Sequence, residues 1–160
     1  MMQGRRALFF STVKANLDAK GRSAMPSEFR EAIALAEPVE MQSRLYLVRR
    51  ELEGIPVHLA CFARHMIEEL GAELDYCDDA RAHVIEGILA CADSVRFDTA
   101  GRFSIGPESI ALLDLTDSLL FVGVGRFYEI WHPDHLAETR SAQVSFHRRA
   151  LRISAPPETT

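Results

Sequence analysis

The sequence has few of the residues and patterns that mark secreted, membrane or metal-binding proteins. Its 160 residues include only three cysteines, which are too widely spaced for a disulfide framework or a paired zinc motif. We interpret them as free thiols in a reducing compartment. No apolar run reaches the roughly eighteen residues that a membrane-spanning helix needs. The apolar patch near the start is interrupted at Ser11, too early for a signal peptide. We therefore expect a cytoplasmic protein without a membrane partner.

Signatures of catalysis are equally scarce. The chain shows no paired carboxylates and no Ser-His-Asp or Cys-His arrangement of the kind used in acid–base or nucleophilic catalysis. Gly123 and Gly125 lack the third glycine of a dinucleotide motif and the Gly-Lys-Ser/Thr of a P-loop, so we interpret them as a turn. We expect no enzyme activity, no cofactor, no bound metal and no small-molecule substrate. A small metal-dependent enzyme built on His132, His135 and Cys61 stays open as an alternative.

Lysine is nearly absent, since sixteen of the eighteen basic residues are arginine. The planar guanidinium of arginine suits bidentate contacts with phosphate and with guanine. The net charge of the chain is −5, but the first fifty residues carry +4 and the remainder carries −9. This basic end on an acidic body fits a nucleic-acid face. On charge alone it fits an unevenly charged, solvated surface equally well.

What the sequence does contain is a short phrase that occurs twice. Residues 17–22 read Leu-Asp-Ala-Lys-Gly-Arg and residues 97–102 read Phe-Asp-Thr-Ala-Gly-Arg, with the aspartates, glycines and arginines each 80 positions apart. Such a repeat predicts two copies of one structural unit. In both copies, alternating apolar residues lead into the phrase, glycine can adopt a positive φ, and aspartate can bond nearby amides. The phrase is typical of a tight turn between two strands.

Each unit is predicted to run strand, turn, strand, short helix, strand, so the fold class is mainly β with α (α+β). Between the units, apolar residues from Leu59 to Leu70 follow a helical period, and a second helix is predicted after Gly71. A last helix is predicted to begin near His132. The predicted segments are a first unit at 9–58, a helical pair at 59–93, a second unit at 94–133, a C-terminal helix at 134–152, and flexible ends at 1–8 and 153–160.

The charged side chains of the repeated phrase allow two interpretations. Asp18 and Arg22, like Asp98 and Arg102, can meet across the turn, and the carboxylate then determines where the guanidinium points. The pair is either a structural salt bridge that pins the turn, or a way to display an arginine toward phosphates and base edges. The two interpretations are compatible, because a pinned arginine is also a preorganised one.

The phrase and its surroundings resemble the MraZ family. In the first half the resemblance rests on residues 17–22 and on Met-Pro-Ser-Glu-Phe-Arg at 25–30. In the second half it rests on Asp-Thr-Ala-Gly-Arg at 98–102 and Val-Gly-Val-Gly-Arg-Phe-Tyr-Glu-Ile-Trp at 122–131, and the motifs together cover about residues 9–140. The resemblance implies two tandem AbrB-like swapped-hairpin β-barrel units packed as a pseudo-dimer. It also implies that chains assemble into a ring-shaped homo-oligomer.

The resemblance further implies a nucleoid-associated transcriptional regulator that binds double-stranded DNA, at direct repeats in the promoter of the division and cell-wall gene cluster. The contacts would come from the repeated loops. The residues expected to contact DNA are Arg22, Lys20, Lys14 and Arg102. The residues expected to orient the loops are Asp18, Gly21, Asp98 and Gly101.

Two departures from the family pattern make the copies unequal. Ala100 stands where the first copy has Lys20, and Ile110 stands where the first copy has Arg30. We therefore predict that the first copy makes the stronger DNA contact. The eroded second copy and the acidic body also suggest an alternative function, a ring-forming protein-interaction module without DNA binding.

Overall fold

A computed structural model describes residues 6–139 of the chain, in which antiparallel strands are combined with short helices. The strands are β1 Thr12–Asn16, β2 Arg22–Ala24, β3 Arg44–Arg50, β4 His58–Phe62, β5 Asp93–Arg96, β6 Arg102–Ser104, β7 Ser118–Gly123 and β8 Tyr128–Trp131. The helices are α1 Ser27–Ala36, a 3-10 turn at Val39–Met41, α2 Arg64–Glu73, α3 Asp79–Ala90 and α4 Pro107–Leu112. The α+β class predicted from the sequence is confirmed.

Six strands form one antiparallel sheet in the order β1-β7-β8-β4-β3-β5, and the remaining two, β2 and β6, pair with each other. Within residues 6–139 the large sheet is open, with β1 and β5 at its edges. The closed barrel in our prediction is therefore wrong. Strands β2 and β6, which follow β1 and β5 in the chain, pair with each other and extend neither edge of the large sheet.

The sheet is assembled from strands of both sequence halves. Strand β1 pairs with β7 over Thr12↔Val122 to Asn16↔Ser118, and β5 pairs with β3 over Arg44↔Arg96 to Leu47↔Asp93. The central pairing, β4 with β8, also joins the two halves. Because each edge strand pairs with a strand from the opposite half, neither half forms the sheet by itself.

Aromatic rings from both halves pack together beneath the sheet. Phe9, Phe29, Phe121 and Tyr128 are almost fully buried, with ring centroids 4.9–6.4 Å apart. Most of these pairs meet edge to face, a geometry that adds about 0.5–1.5 kcal/mol per pair beyond the area buried. The cluster holds α1 against β7 and β8 and thereby sets the position of the chain around the first turn.

The predicted helical pair begins later than its sequence periodicity indicated. Residues 58–62 form strand β4, and the first helix of the pair starts at Arg64. Every residue of β4 is buried, because the strand lies in the middle of the sheet with a packed layer on each face. Apart from His58, β4 is apolar on both faces, so its residues can match a helical template by coincidence.

The predicted ends also need correction. Ala7, assigned to a flexible end, is buried, and its amide donates to His65 Nε2 at 3.3 Å. The C-terminal helix is described over residues 133–139, while the rest of its predicted range lies outside the described residues, as do 1–5 and 153–160. Among the described helices, none has the length and apolar character needed to cross a membrane.

Candidate nucleic-acid interface

The first repeated turn, residues 18–22, is called the first loop here and is held by a single carboxylate. Asp18 Oδ1 accepts hydrogen bonds from the amides of Lys20 at 2.9 Å and Arg22 at 2.8 Å. Asp18 Oδ2 accepts from Arg22 Nε at 2.9 Å. Gly21 completes the loop with φ of 76°, a left-handed conformation that costs other residues about 1–2 kcal/mol. The sequence folds this way because a short acidic side chain and a glycine are placed where the turn needs them.

The second loop, residues 98–102, repeats this geometry. Asp98 Oδ1 accepts from the amides of Ala100 and Arg102, both at 2.9 Å, and Oδ2 accepts from Arg102 Nε at 3.0 Å. Gly101 has φ of 81°. The two turns therefore share one pattern of aspartate hydrogen bonds and one glycine conformation.

The fold brings the two loops side by side. The Met25 amide donates to the Gly101 carbonyl at 3.0 Å, and the Ile105 amide donates to the Gly21 carbonyl at 2.8 Å. The two bonds lie on either side of the β2–β6 ladder. Each one joins one loop to the residue just past the strand that follows the other loop. Residues 80 positions apart in the sequence thus form one continuous surface.

Arg22 and Arg102 lie on the same exposed face of the β2–β6 ladder. Ser23 and Phe103, the middle residues of the two strands, are buried, so the arginines on either side of them face outward. The two arginines are offset by two residues of register, which corresponds to about 7 Å along the strands. Their side chains are 44% and 59% exposed. Among residues 6–139, only Nε of each guanidinium is engaged, so its terminal amino groups are available to a ligand.

Hydrogen bonds lower the pKa of both loop carboxylates. The amide of Arg22 is the largest cause that lowers the pKa of Asp18, and the amide of Arg102 acts in the same way on Asp98. Exposed ion pairs of this kind contribute little to global stability. Their effect is geometric, because an ionised carboxylate bonded to Nε limits the directions in which the rest of the guanidinium can point.

Two of the predicted DNA contacts differ in their placement. Lys20 is exposed within the first loop, next to Arg22. Lys14 is exposed in the middle of β1, opposite Leu120. It precedes Asp18 by four residues, which is about 13 Å along an extended strand. The structure therefore places Lys20 and Arg22 in one loop beside Arg102, whereas Lys14 lies on β1, four residues before the first loop.

Arg30 lies against the second loop, whereas its place in the first copy of the repeat predicts an association with the first loop. Its Nη1 donates to the Thr99 carbonyl at 2.7 Å. A Cβ placed on Gly101 would lie 2.6 Å from Arg30 Cδ and 2.8 Å from Nε. The equivalent residue of the other half, Ile110, lies behind the first loop, 2.8 Å from the Cβ position of Gly21. Sequence reasoning missed this exchange because it depends on how the two halves interlock.

The metal-site alternative finds no matching geometry in the described part of the chain. His132 and His135 lie close together, with ring centroids 4.5 Å apart. Cys61 is in the main hydrophobic core, and burial raises the pKa of its thiol well above the usual value. Within residues 6–139, no group of three or more His, Cys, Asp or Glu side chains is arranged to hold a metal ion.

Three curated relatives of this chain carry the same name. The chain is 34% identical to the transcriptional regulator MraZ of Phenylobacterium zucineum over 146 residues, covering 90% of this chain and 87% of that protein. It is 30% identical to the protein of the same name from Herminiimonas arsenicoxydans, covering 86% and 92%, and 28% identical to that of Caulobacter vibrioides, covering 90% and 89%. No family model matches the chain.

An antiparallel α+β fold that presents paired arginine loops, together with these relatives, identifies a transcriptional regulator. The chain belongs to the MraZ family. The resemblance inferred from the repeated phrase and its flanking motifs is thereby confirmed.

Proposed function

We propose that the chain binds double-stranded DNA through the surface formed by its two loops. In this proposal Arg22, Lys20 and Arg102 contact the DNA, while Asp18 and Asp98 orient the arginines. The observation that carries the proposal is the common exposed face of Arg22 and Arg102, each bonded through Nε to its own aspartate. Preorganised arginines suit both phosphate contacts, which supply affinity, and guanine contacts, which supply sequence choice.

The proposal includes the targets expected for this family, namely direct repeats in the promoter of the division and cell-wall gene cluster. It also includes a ring-shaped homo-oligomer in the cytoplasm, associated with the nucleoid. A repeated DNA site fits a repeated protein surface, because linked weak contacts gain from effective concentration. Since each chain offers few cations at its loops, assembly is needed for tight binding.

The proposed architecture is a pair of interlocked AbrB-like units, residues 9–58 and 94–133, with the helical segment between them. Support comes from the exchange of edge strands, in which β1 pairs with β7 and β5 pairs with β3. The pairing of β2 with β6 adds to it, because equivalent strands meet at the centre of the loop surface. In this arrangement one chain has the two loops that a dimer of single units would have.

The proposal is tested by DNA binding of single and double loop variants. The full-length protein is titrated, by gel shift and fluorescence anisotropy, with a duplex that carries the promoter repeats and with a shuffled duplex. We expect Arg22→Ala to remove most specific binding and Arg22→Ala combined with Arg102→Ala to abolish it. Each lost phosphate contact should make the plot of log K against log salt shallower by about 0.9.

Arg81→Ala is the matched control. Arg81 is also bonded through Nε to a carboxylate, that of Glu73, and its side chain is 46% exposed, but it lies on α3. The control loses the same charge and an ion pair away from the loops, one in which Nη2 of Arg81 also bonds to the carboxylate, so its affinity should match that of the wild type. Retention of wild-type affinity by both Arg22→Ala and Arg102→Ala would contradict the proposed interface.

A patch of exposed apolar side chains favours a second candidate function, protein interaction without DNA binding. Leu8, Phe10 and Val124 are 63%, 60% and 43% exposed and flank the bridge between Phe9 and Gly125. Adjacent exposed apolar residues often mark an interface. This candidate predicts equal, weak affinity for the repeat and shuffled duplexes together with an oligomeric mass in solution. Specific binding of the repeat duplex by the wild type would rule it out as the sole function.

A further inference from the structure

We propose that Arg30 is a positioning residue for the loop of the opposite half. It holds the second loop in its DNA-contacting shape and supplies the positive charge that position 100 lacks. This inference rests on the proposed function, in that the second loop is taken to contact DNA, and it adds a residue from outside both loops. Arg30 belongs to α1, in the first half of the chain, whereas the loop that it supports belongs to the second half.

The contacts of Arg30 are specific to the second loop. Its Nη1 donates to the Thr99 carbonyl at 2.7 Å, a bond at the tip of the turn. Its Cδ and Nε pass through the space that a side chain at position 101 would occupy. Arg30 Nε is buried and has no hydrogen-bond partner among residues 6–139. The Arg30 side chain therefore stays against the loop backbone even though its Nε makes no hydrogen bond. Burying an unpaired donor costs free energy, and a positioning role for Arg30 accounts for that cost.

The first loop is supported differently, and this provides an internal comparison. Ile110, which occupies the corresponding place in α4, presents its Cδ1 methyl to the backbone at Gly21. A methyl group fills space without constraining a carbonyl or adding charge. The two loops, which have nearly the same internal hydrogen bonds, thus rest on side chains of different chemistry.

The charges of the two loop regions become equal when Arg30 is included. The first loop contains one carboxylate, Asp18, and two cations, Lys20 and Arg22. The second loop contains Asp98 and Arg102, whose charges cancel. Arg30 adds one cation beside the second loop, so both regions carry one net positive charge. The affinity for DNA phosphates depends on the number of cations that contact them. Arg30 therefore compensates for the absence of a lysine at position 100.

Amide hydrogen exchange of the free, full-length protein tests the positioning role with two matched reporters. The Met25 amide bonds to Gly101 and reports on the second loop, while the Ile105 amide bonds to Gly21 and reports on the first. We expect Arg30→Met to speed exchange at Met25 at least tenfold relative to Ile105. The control, Ile110→Met, should leave the Met25 rate unchanged. Equal acceleration at Met25 and Ile105, or none at Met25, would overturn the inference.

DNA titration tests the charge and provides a rescue. Arg30→Met should weaken binding to the repeat duplex about tenfold at constant salt, and make the plot of log K against log salt shallower by about 0.9, as the loss of one phosphate contact requires. Arg30→Lys should recover most of the affinity, because it restores the cation. Wild-type affinity of Arg30→Met would overturn the inference, and so would a failure of Arg30→Lys to recover any affinity while its fold is intact.

The two arms separate this inference from the proposed function. Failure of the wild-type protein to bind the repeat duplex would contradict the proposed function and the charge role of Arg30 together. The exchange rates at Met25 and Ile105 need no DNA, so they still decide whether Arg30 positions the second loop.

Discussion

The first and second loops have the same internal geometry but different surroundings. In each, one carboxylate accepts three hydrogen bonds of 2.8–3.0 Å, and a glycine adopts φ near 80°, namely 76° in the first and 81° in the second. They differ at the tip, where Lys20 corresponds to Ala100. They also differ in support, since the first rests on Ile110 and the second on Arg30.

This comparison separates two properties of a binding loop. Its internal hydrogen bonds depend on residues within the turn, because they join residues at most four apart. Its charge and rigidity depend also on the side chain behind it, which comes from the opposite half of the chain. The two copies can therefore differ in sequence at the tip of the loop while both loop regions keep the same net charge.

Among the changes that compare the two loops, the largest expected effect comes from removing the carboxylates that shape them. Asp18→Ala and Asp98→Ala should each weaken DNA binding about 10- to 100-fold, because each leaves an arginine without its charge-assisted bonds. The loss should be smaller for Asp98→Ala, since Arg30 still bonds to Thr99. Anisotropy titrations measure both, with Asp75→Ala, at an exposed site, as the charge-matched control. A larger loss for Asp98→Ala would reverse the comparison.

Alanine substitutions at Gly21 and Gly101 should lower the stability of the protein by different amounts, because different side chains lie behind the two loops. Each substitution forces a residue with a Cβ into a left-handed conformation, which costs about 1–2 kcal/mol. Gly101→Ala should cost more than Gly21→Ala, because its Cβ meets an arginine tied to Thr99, whereas Ile110 can shift a terminal methyl. Urea unfolding gives both free energies of unfolding. An equal or greater cost for Gly21→Ala would show that Arg30 moves freely.

Adding a lysine at the tip of the second loop should remove the sequence difference between the copies. Ala100 is exposed, so Ala100→Lys introduces a cation without a packing conflict. We expect several-fold tighter DNA binding and a plot of log K against log salt that is steeper by about 0.9. Ala100→Gln, of similar length but uncharged, is the control and should match the wild type. Unchanged salt dependence would mean that this tip does not approach a phosphate.

The smallest expected effect is the loss of stability at low pH that comes from protonating the two loop carboxylates. It should be the same in both loops. The amide of Arg22 lowers the pKa of Asp18 and that of Arg102 lowers the pKa of Asp98, both from a usual value of 3.8. A lowered folded-state pKa means that the contribution of the carboxylate to stability is present above the unfolded pKa. It is lost as pH falls through the lower, folded pKa. Carboxyl NMR titration should give both midpoints below 3.8, and a higher midpoint for one loop would expose a difference that the geometry lacks.

Much of the loop surface could be predicted from the sequence. The identity of the turns, the bonds from Asp18 to Arg22 and from Asp98 to Arg102, and the positive φ of both glycines all follow from the chemistry of five consecutive residues. These features were predictable because local hydrogen bonding does not require knowledge of the remaining chain.

Other features could not be predicted, for identifiable physical reasons. Strand β4 was assigned to a helix, because a strand buried on both faces has no alternating pattern. The large sheet is open, because β2 and β6 pair with each other across a long sequence separation and extend neither edge. Arg30 was associated with the wrong loop, because its contact follows from the packing of α1 against the other half. A sequence offset of 80 makes Arg30 and Ile110 equivalent but does not reveal which loop each one supports.

The sequence by itself determined the conformation of each loop and the family of the protein. Aspartate, glycine and arginine at the right spacing satisfy one another within a single turn, whatever lies beyond it. Only the tertiary structure decided that the two loops form one surface and that each is supported by a helix of the other half. Those relations depend on strands that pair across large sequence separations. Their register is selected by the burial of residues from both halves in a shared core.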